Sequence, residues 1–134
     1  MGARKRNTAE QNKAEKLKVA IAKLNNCPTS PRKMRKMADL VRGKDVFQAL
    51  NMLKFSKQEA SVRLEKLLRS AIANWETKNE GSRADEADLF ISEVKVDSAR
   101  MLKRVQPAPQ GRAHRVRKRS NHVTIIVDNT AKKD

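Results

Sequence analysis

What this chain has little of narrows its identity before any motif is read. It holds a single cysteine, Cys27, so neither an intramolecular disulfide nor a cysteine-based zinc site can be built, and a reducing compartment is expected. Aromatic residues make up 3% of the chain and apolar residues 38%, which leaves room only for a modest, aliphatic core. No apolar run approaches the ~18 residues that a membrane span needs. The opening, MGARKRNTAEQNK, has no apolar stretch behind its basic residues and no Ser or Thr at the sixth position, so neither a signal peptide nor myristoylation is expected. There is no glycine-rich phosphate loop, no nucleophile elbow and no paired-carboxylate motif, and hence no expected enzyme chemistry or cofactor. His114 and His122 have no cysteine or carboxylate partners at metal-ligand spacing, and the acidic group Glu76, Glu80, Asp85, Glu86 and Asp88 reads as loop solvation rather than a calcium site.

Acidic charge is the other shortage. Against 31 Lys and Arg stand 15 Asp and Glu, giving a net charge of +16 and a pI near 10.6. A balance of that kind fits a protein that lies against phosphate rather than a free-standing enzyme. The charge is also unevenly placed: +10 over residues 1–55, −2 over 56–99, +8 over 100–119 and zero over the last fifteen. A near-neutral scaffold thus separates two positive regions.

With 134 residues the chain is expected to form one domain. Residues 1–15 read as a flexible basic extension, residues 16–128 as the core and residues 129–134 as a short tail. Alternation of Leu17, Val19 and Ile21 predicts a strand to Leu24, closed by the turn Cys27-Pro28-Thr29-Ser30-Pro31. Ser30 followed by Pro31 predicts a helix start with the hydroxyl as N-cap. Met34, Met37, Ala38 and Val41 then form one apolar stripe, and Gly43 ends the helix. Asp45 opens a second helix, with Val46, Leu50 and Leu53 inward. Ser56-Lys57-Gln58-Glu59 has the pattern of a capping box for the longest helix, whose inner face is Leu64, Leu67, Leu68, Ala71, Ile72 and Trp75. Two β-patterned segments, LFISEVKV and HVTIIV, follow a polar loop. The fold class expected is α+β: a three-stranded antiparallel sheet packed against three helices, with a long protruding β-hairpin over residues 89–127.

The hairpin carries the main functional reading. Its arms, Leu89 to Val105 and Gly111 to Val127, hold 17 residues each, about 50 Å of extended chain. Between Arg100 and Arg119 lie eight cations and no acid: Arg100, Lys103, Arg104, Arg112, Arg115, Arg117, Lys118 and Arg119. Only the base has the apolar residues to join a core, so the distal half is expected to project and to gain its order from a polyanion. Strand alternation places Arg115, Arg117 and Arg119 on one side and Lys118, with Arg112 or His114, on the other. The tip, Gln106, Pro107, Ala108, Pro109, Gln110 and Gly111, is uncharged and stiffened by two prolines, which suits it to meet something other than phosphate. A second basic surface comprises Ser30, Arg32, Lys33, Arg35, Arg42 and Lys44 around the first stripe helix, where the cations at its N-terminus oppose the helix dipole and call for an external anion. Phe47, Phe55, Phe90 and Trp75 all fall at core-facing positions, so aromatic base stacking is not expected.

Read together and in order, SPRKMRKMADLVRGK, QALNMLKF, LLRSAIANWE and KRVQPAPQGRAHRVRKRSNHVTIIV resemble the bacterial large-subunit ribosomal protein family numbered twenty-two, from about Leu17 to Asp128. The resemblance implies a small α+β body near the exit of the polypeptide tunnel and a hairpin lining that tunnel. It further implies a monomer within a cytoplasmic ribosome, bound to large-subunit (23S) ribosomal RNA, next to neighbouring ribosomal proteins and the nascent polypeptide. By position, the eight hairpin cations and the six body residues named above would contact RNA. Family tips usually read close to PRARGRA or PRAKGRA; here Ala108, Pro109 and Gln110 leave the tip two positive charges short. The alternative in another functional class is an architectural DNA-binding protein, which also uses a basic β-ribbon arm with a proline near its tip.

Overall fold

The computed structural model of the chain describes residues 3–79 and 82–129. Along the chain run α1 (Ala3–Lys18), β1 (Ala20–Cys27), α2 (Pro31–Val41), α3 (Val46–Phe55), α4 (Glu59–Lys78), β2 (Leu89–Ser98), β3 (Leu102–Pro107), β4 (Ala113–Lys118) and β5 (Asn121–Asn129). The class is α+β, as expected. β1, β5 and β2 form an antiparallel sheet in that order, so the last strand of the chain is the central one.

The core lies between this sheet and the helices. On β5 the buried residues Asn121, Val123, Ile125 and Val127 alternate with half-buried ones, the period-two pattern of a strand with one covered face. Leu64, Leu67, Leu68, Ala71 and Trp75 of α4 and Met34, Met37, Ala38 and Val41 of α2 close over it. Asp45 caps α3 as expected, its Oδ2 accepting from the amides of Phe47 and Gln48 at 3.0 Å. Gly43, at φ +72°, follows the end of α2, and its amide donates to the Ile91 carbonyl at 3.0 Å while the Ile91 amide donates to the Lys44 carbonyl at 2.9 Å. That clasp fixes the α2–α3 connection to β2 beside a register shift between Ile91 and Glu93.

Five local expectations are corrected. Residues 3–18 form a helix, where a flexible extension was expected to residue 15 and a strand from Leu17. The segment is rich in Ala, Lys, Arg, Glu and Gln, strong helix formers, and Arg6 pairs with Glu10 one turn on at 3.0 Å. Residues 3–14 are exposed throughout, so no apolar stripe was there to be read. β1 starts at Ala20 and buries Ala20, Ala22 and Cys27, leaving Ile21 only half-buried: the phase of the strand is the reverse of the one expected. Small side chains on its inner face let α4 approach until Asn74 donates to the Ile21 carbonyl at 3.1 Å and Lys78 to the Val19 carbonyl at 2.6 Å. Ser30 occupies the N-cap position of α2, but its hydroxyl makes no capping bond; its carbonyl accepts from Lys33 and Met34 instead. α4 begins at Glu59, so Ser56 caps α3 at its C-terminal end and no capping box forms. Finally, Asn129 closes β5, while residues 130–134 and Glu80 lie outside the described residues.

Candidate nucleic-acid interface

The predicted hairpin is present but jointed. Its base is the β2–β5 pair; its distal half is a separate two-stranded ribbon, β3 with β4. At the joint, Ala99 donates to the Ser120 carbonyl at 2.9 Å. The outgoing arm spends three residues there, Ala99 to Met101, and the returning arm two, Arg119 and Ser120. An extra residue on one side of an antiparallel pair breaks the ladder and bends the strand. The continuous arm expected from the sequence is therefore divided, and its distal part, six residues per strand, spans about 20 Å.

Every residue of β3 and β4 is exposed. Cross-strand pairing assigns the two faces. Lys103 opposite Arg117, and Val105 opposite Arg115, lie on one; Leu102 opposite Lys118, Arg104 opposite Val116, and Gln106 opposite His114, lie on the other. Arg115 and Arg117 share a face, and Lys118 and His114 the other, in keeping with the predicted alternation. Arg119 and Arg112 fall outside the strands. None of the eight hairpin cations forms an ion pair among the described residues. The tip closes by the Ala108 amide donating to the Arg112 carbonyl at 2.9 Å, over a short 3₁₀ turn at Pro109–Gly111 in which Gln110 and Gly111 take positive φ of 61° and 69°. Glycine adopts that region freely, which is the use of Gly111 here.

The body residues divide into two groups. Arg32 and Lys33 stand exposed at the start of α2 with no side-chain partner among the described residues; Ser30, just before them, and Lys44, past the other end of the helix, are half-buried. Arg35 and Arg42, by contrast, are engaged within the fold. Arg35 donates to the Val96 carbonyl at 3.1 Å, and Arg42 donates to the Val94 carbonyl at 3.0 Å while pairing with Asp39 at 2.7 Å. They tie α2 to the edge of β2, a role that residue type and spacing did not reveal.

The aromatic expectation is overturned in part. Trp75 is buried and Phe90 half-buried, but Phe47 is 39% exposed and Phe55 is 83% exposed. Both lie on the outer face of α3, whose inner face is taken by Val46, Ala49 and Leu53.

Elsewhere, a cleft of about 550 Å³ opens between Leu24 and the first turns of α4. Two of its charged lining residues pair with each other, Arg63 with Glu59 at 2.8 Å, a bond that raises the guanidinium above its ordinary pKa. No group of three metal-ligating side chains occurs among the described residues, and none of the described helices is long and apolar enough to cross a membrane.

Residues 22–128 match the family described as ribosomal protein L22p/L17e. The chain belongs to that family. It is 68% identical over 127 residues to the large ribosomal subunit protein uL22 of Christiangramia forsetii, covering 95% of this chain and 94% of the relative. With the protein of the same name from Flavobacterium johnsoniae it shares 64% identity, over 95% and 93% of the two chains. The Parabacteroides distasonis protein of that name matches at 60% over 134 residues, 100% of this chain and 98% of its own. As a member of the L22p/L17e family, this chain is a structural constituent of the large ribosomal subunit and not an enzyme, and associates there with ribosomal RNA and proteins. Membership leaves the architectural DNA-binding alternative without support.

Proposed function

We propose that this L22p/L17e protein binds 23S ribosomal RNA as a monomer in the cytoplasmic ribosome, its body near the tunnel exit and its hairpin lining the polypeptide tunnel. One observation carries the reading. The β3–β4 ribbon is exposed along its whole length, carries cations on both faces and has no acidic residue. A ribbon with no core of its own gains rigidity when phosphates neutralise both faces, and a ribbon charged on both faces suits insertion between RNA segments better than lying on one. It would thereby hold RNA domains together during assembly. Arg100, Lys103, Arg104, Arg112, Arg115, Arg117, Lys118 and Arg119 serve as its phosphate contacts, with Ser30, Arg32, Lys33 and Lys44 on the body. Arg35 and Arg42 contribute through the edges they leave exposed. The uncharged tip, Gln106 to Gly111, meets the nascent polypeptide rather than phosphate.

The test is electrostatic. Each neutralised phosphate contributes roughly 0.7–0.9 to the slope of log affinity against log salt. Replacing Lys103, Arg104, Arg112 and Arg115 together by glutamine should lower that slope for 23S RNA by about 3 units. An unchanged slope would sink the clamp.

A further inference from the structure

α3 turns a second face away from the core, and that face is aromatic. Phe47, Asn51, Lys54 and Phe55 fall at i, i+4, i+7 and i+8 and are all exposed, with Phe55 at 83%. A phenylalanine removes on the order of 150–250 Å² from water when it is covered, so leaving one open has a cost that a partner would relieve.

The surroundings of Phe55 are cationic. Lys54 precedes it, Lys57 follows two residues on, and no acidic residue occurs between Asp45 and Glu59. Glu59 is engaged by Arg63 at 2.8 Å. The Ser56 hydroxyl lies 3.9 Å from Met37 Sδ, which seats the α3–α4 junction against α2. Lys33 and Leu40 stand one turn to either side of Met37, with Lys36 next to it, and all three are exposed. Phe55 is thus flanked along the chain by Lys54 and Lys57, and its neighbour Ser56 meets the helix that carries the exposed Lys33 and Lys36.

We propose that Phe55 is a stacking platform for an unpaired base of the large-subunit RNA, the four lysines holding the phosphates that flank that base. The proposal rests on the reading that RNA is the partner, and it adds a contact of a different kind, apolar and away from the hairpin. A strand of RNA offers π-faces and phosphates in alternation, which is the chemistry this patch complements. A protein partner seated on Phe55 would have to desolvate the ammonium groups beside it, and lysine is depleted from the centres of such interfaces.

The experiment uses the full chain and in vitro transcribed 23S RNA. F55L keeps an apolar side chain without a π-face, F55A removes both, and F55Y keeps the ring. Stacking on an aromatic residue predicts that F55A and F55L bind about 5- to 150-fold more weakly, while F55Y binds within about twofold of the parent. An 83% exposed position takes no part in the core, so unfolding midpoints of all three should match the parent. In assembled large subunits, a benzophenone amino acid at position 55 should cross-link to RNA. F55L binding as tightly as the parent, or cross-linking to a ribosomal protein, would overturn the proposal. The quadruple glutamine variant of the hairpin separates the two ideas. If it loses affinity while F55L does not, only the stacking platform fails; if it too binds as the parent does, the RNA reading fails with it.

Discussion

Asn121 is fully buried at the mouth of the hairpin, where its Nδ2 donates to the Thr29 carbonyl just before α2. Its Oδ1 has no partner among the described residues. Removing the amide would strand a buried carbonyl, so Asn121→Ala should destabilise the protein by about 1–3 kcal/mol in urea unfolding. Gly43 offers a different kind of sensitivity. A Cβ there would meet nothing within 4 Å, yet φ is +72° and the Gly43–Ile91 bond holds it in place. Gly43→Ala should therefore cost about 1–2 kcal/mol by backbone conformation alone, read from the same unfolding curves. Residue type found the Asp45 cap but not the absence of capping bonds from Ser30 and Ser56 at the helices they precede. It did not show the bonds of Arg35 and Arg42 to β2, because a carbonyl acceptor there is remote in sequence and leaves no local mark.

Elements were legible in proportion to their periodicity. α2 and α4 each show an apolar stripe, and the residues of that stripe are buried, save Ile72, which is half-buried. Leu68, fully buried on α4, should lose about 2–5 kcal/mol as Leu68→Ala in a thermal or urea melt. α1 has no stripe and was missed; β1 was found but in the wrong phase, since alanine reads as neutral in an alternation and α4 selects the small side chains. The ribbon was visible as a charged segment between two apolar strands, but its joint was not, because one extra residue changes pairing without changing composition. Being exposed over its length, the distal ribbon should be cut by trypsin at Lys103, Arg104, Arg115 or Arg117 in the free protein while the body resists. Bound 23S RNA should slow those cuts at least tenfold, as read by mass spectrometry of the fragments. Equal cutting with and without RNA would count against the insertion of the ribbon between RNA segments.

At the scale of the whole molecule the decisive property is the separation of charge from core. The scaffold over residues 56–99 carries −2 and supplies all of α4 and β2, while the flanking segments carry the excess positive charge. Such a molecule should stay monomeric by self-repulsion, and sedimentation at moderate salt should return a mass near 15.2 kDa. In competition binding, folded 23S RNA should outcompete duplex DNA of equal phosphate content, because both ribbon faces must be neutralised at once. Preference for the duplex would count against the proposed function.

The amino-acid order alone determined the class of fold and the existence of a cationic hairpin, since each follows from composition or short-range period. Only the tertiary structure decided which cations are already spent on the protein's own carbonyls, where the ribbon bends, and that Phe55 faces solvent rather than the core. Those three depend on which distant elements pack together, and packing between distant elements leaves no trace in the spacing of residues along the chain.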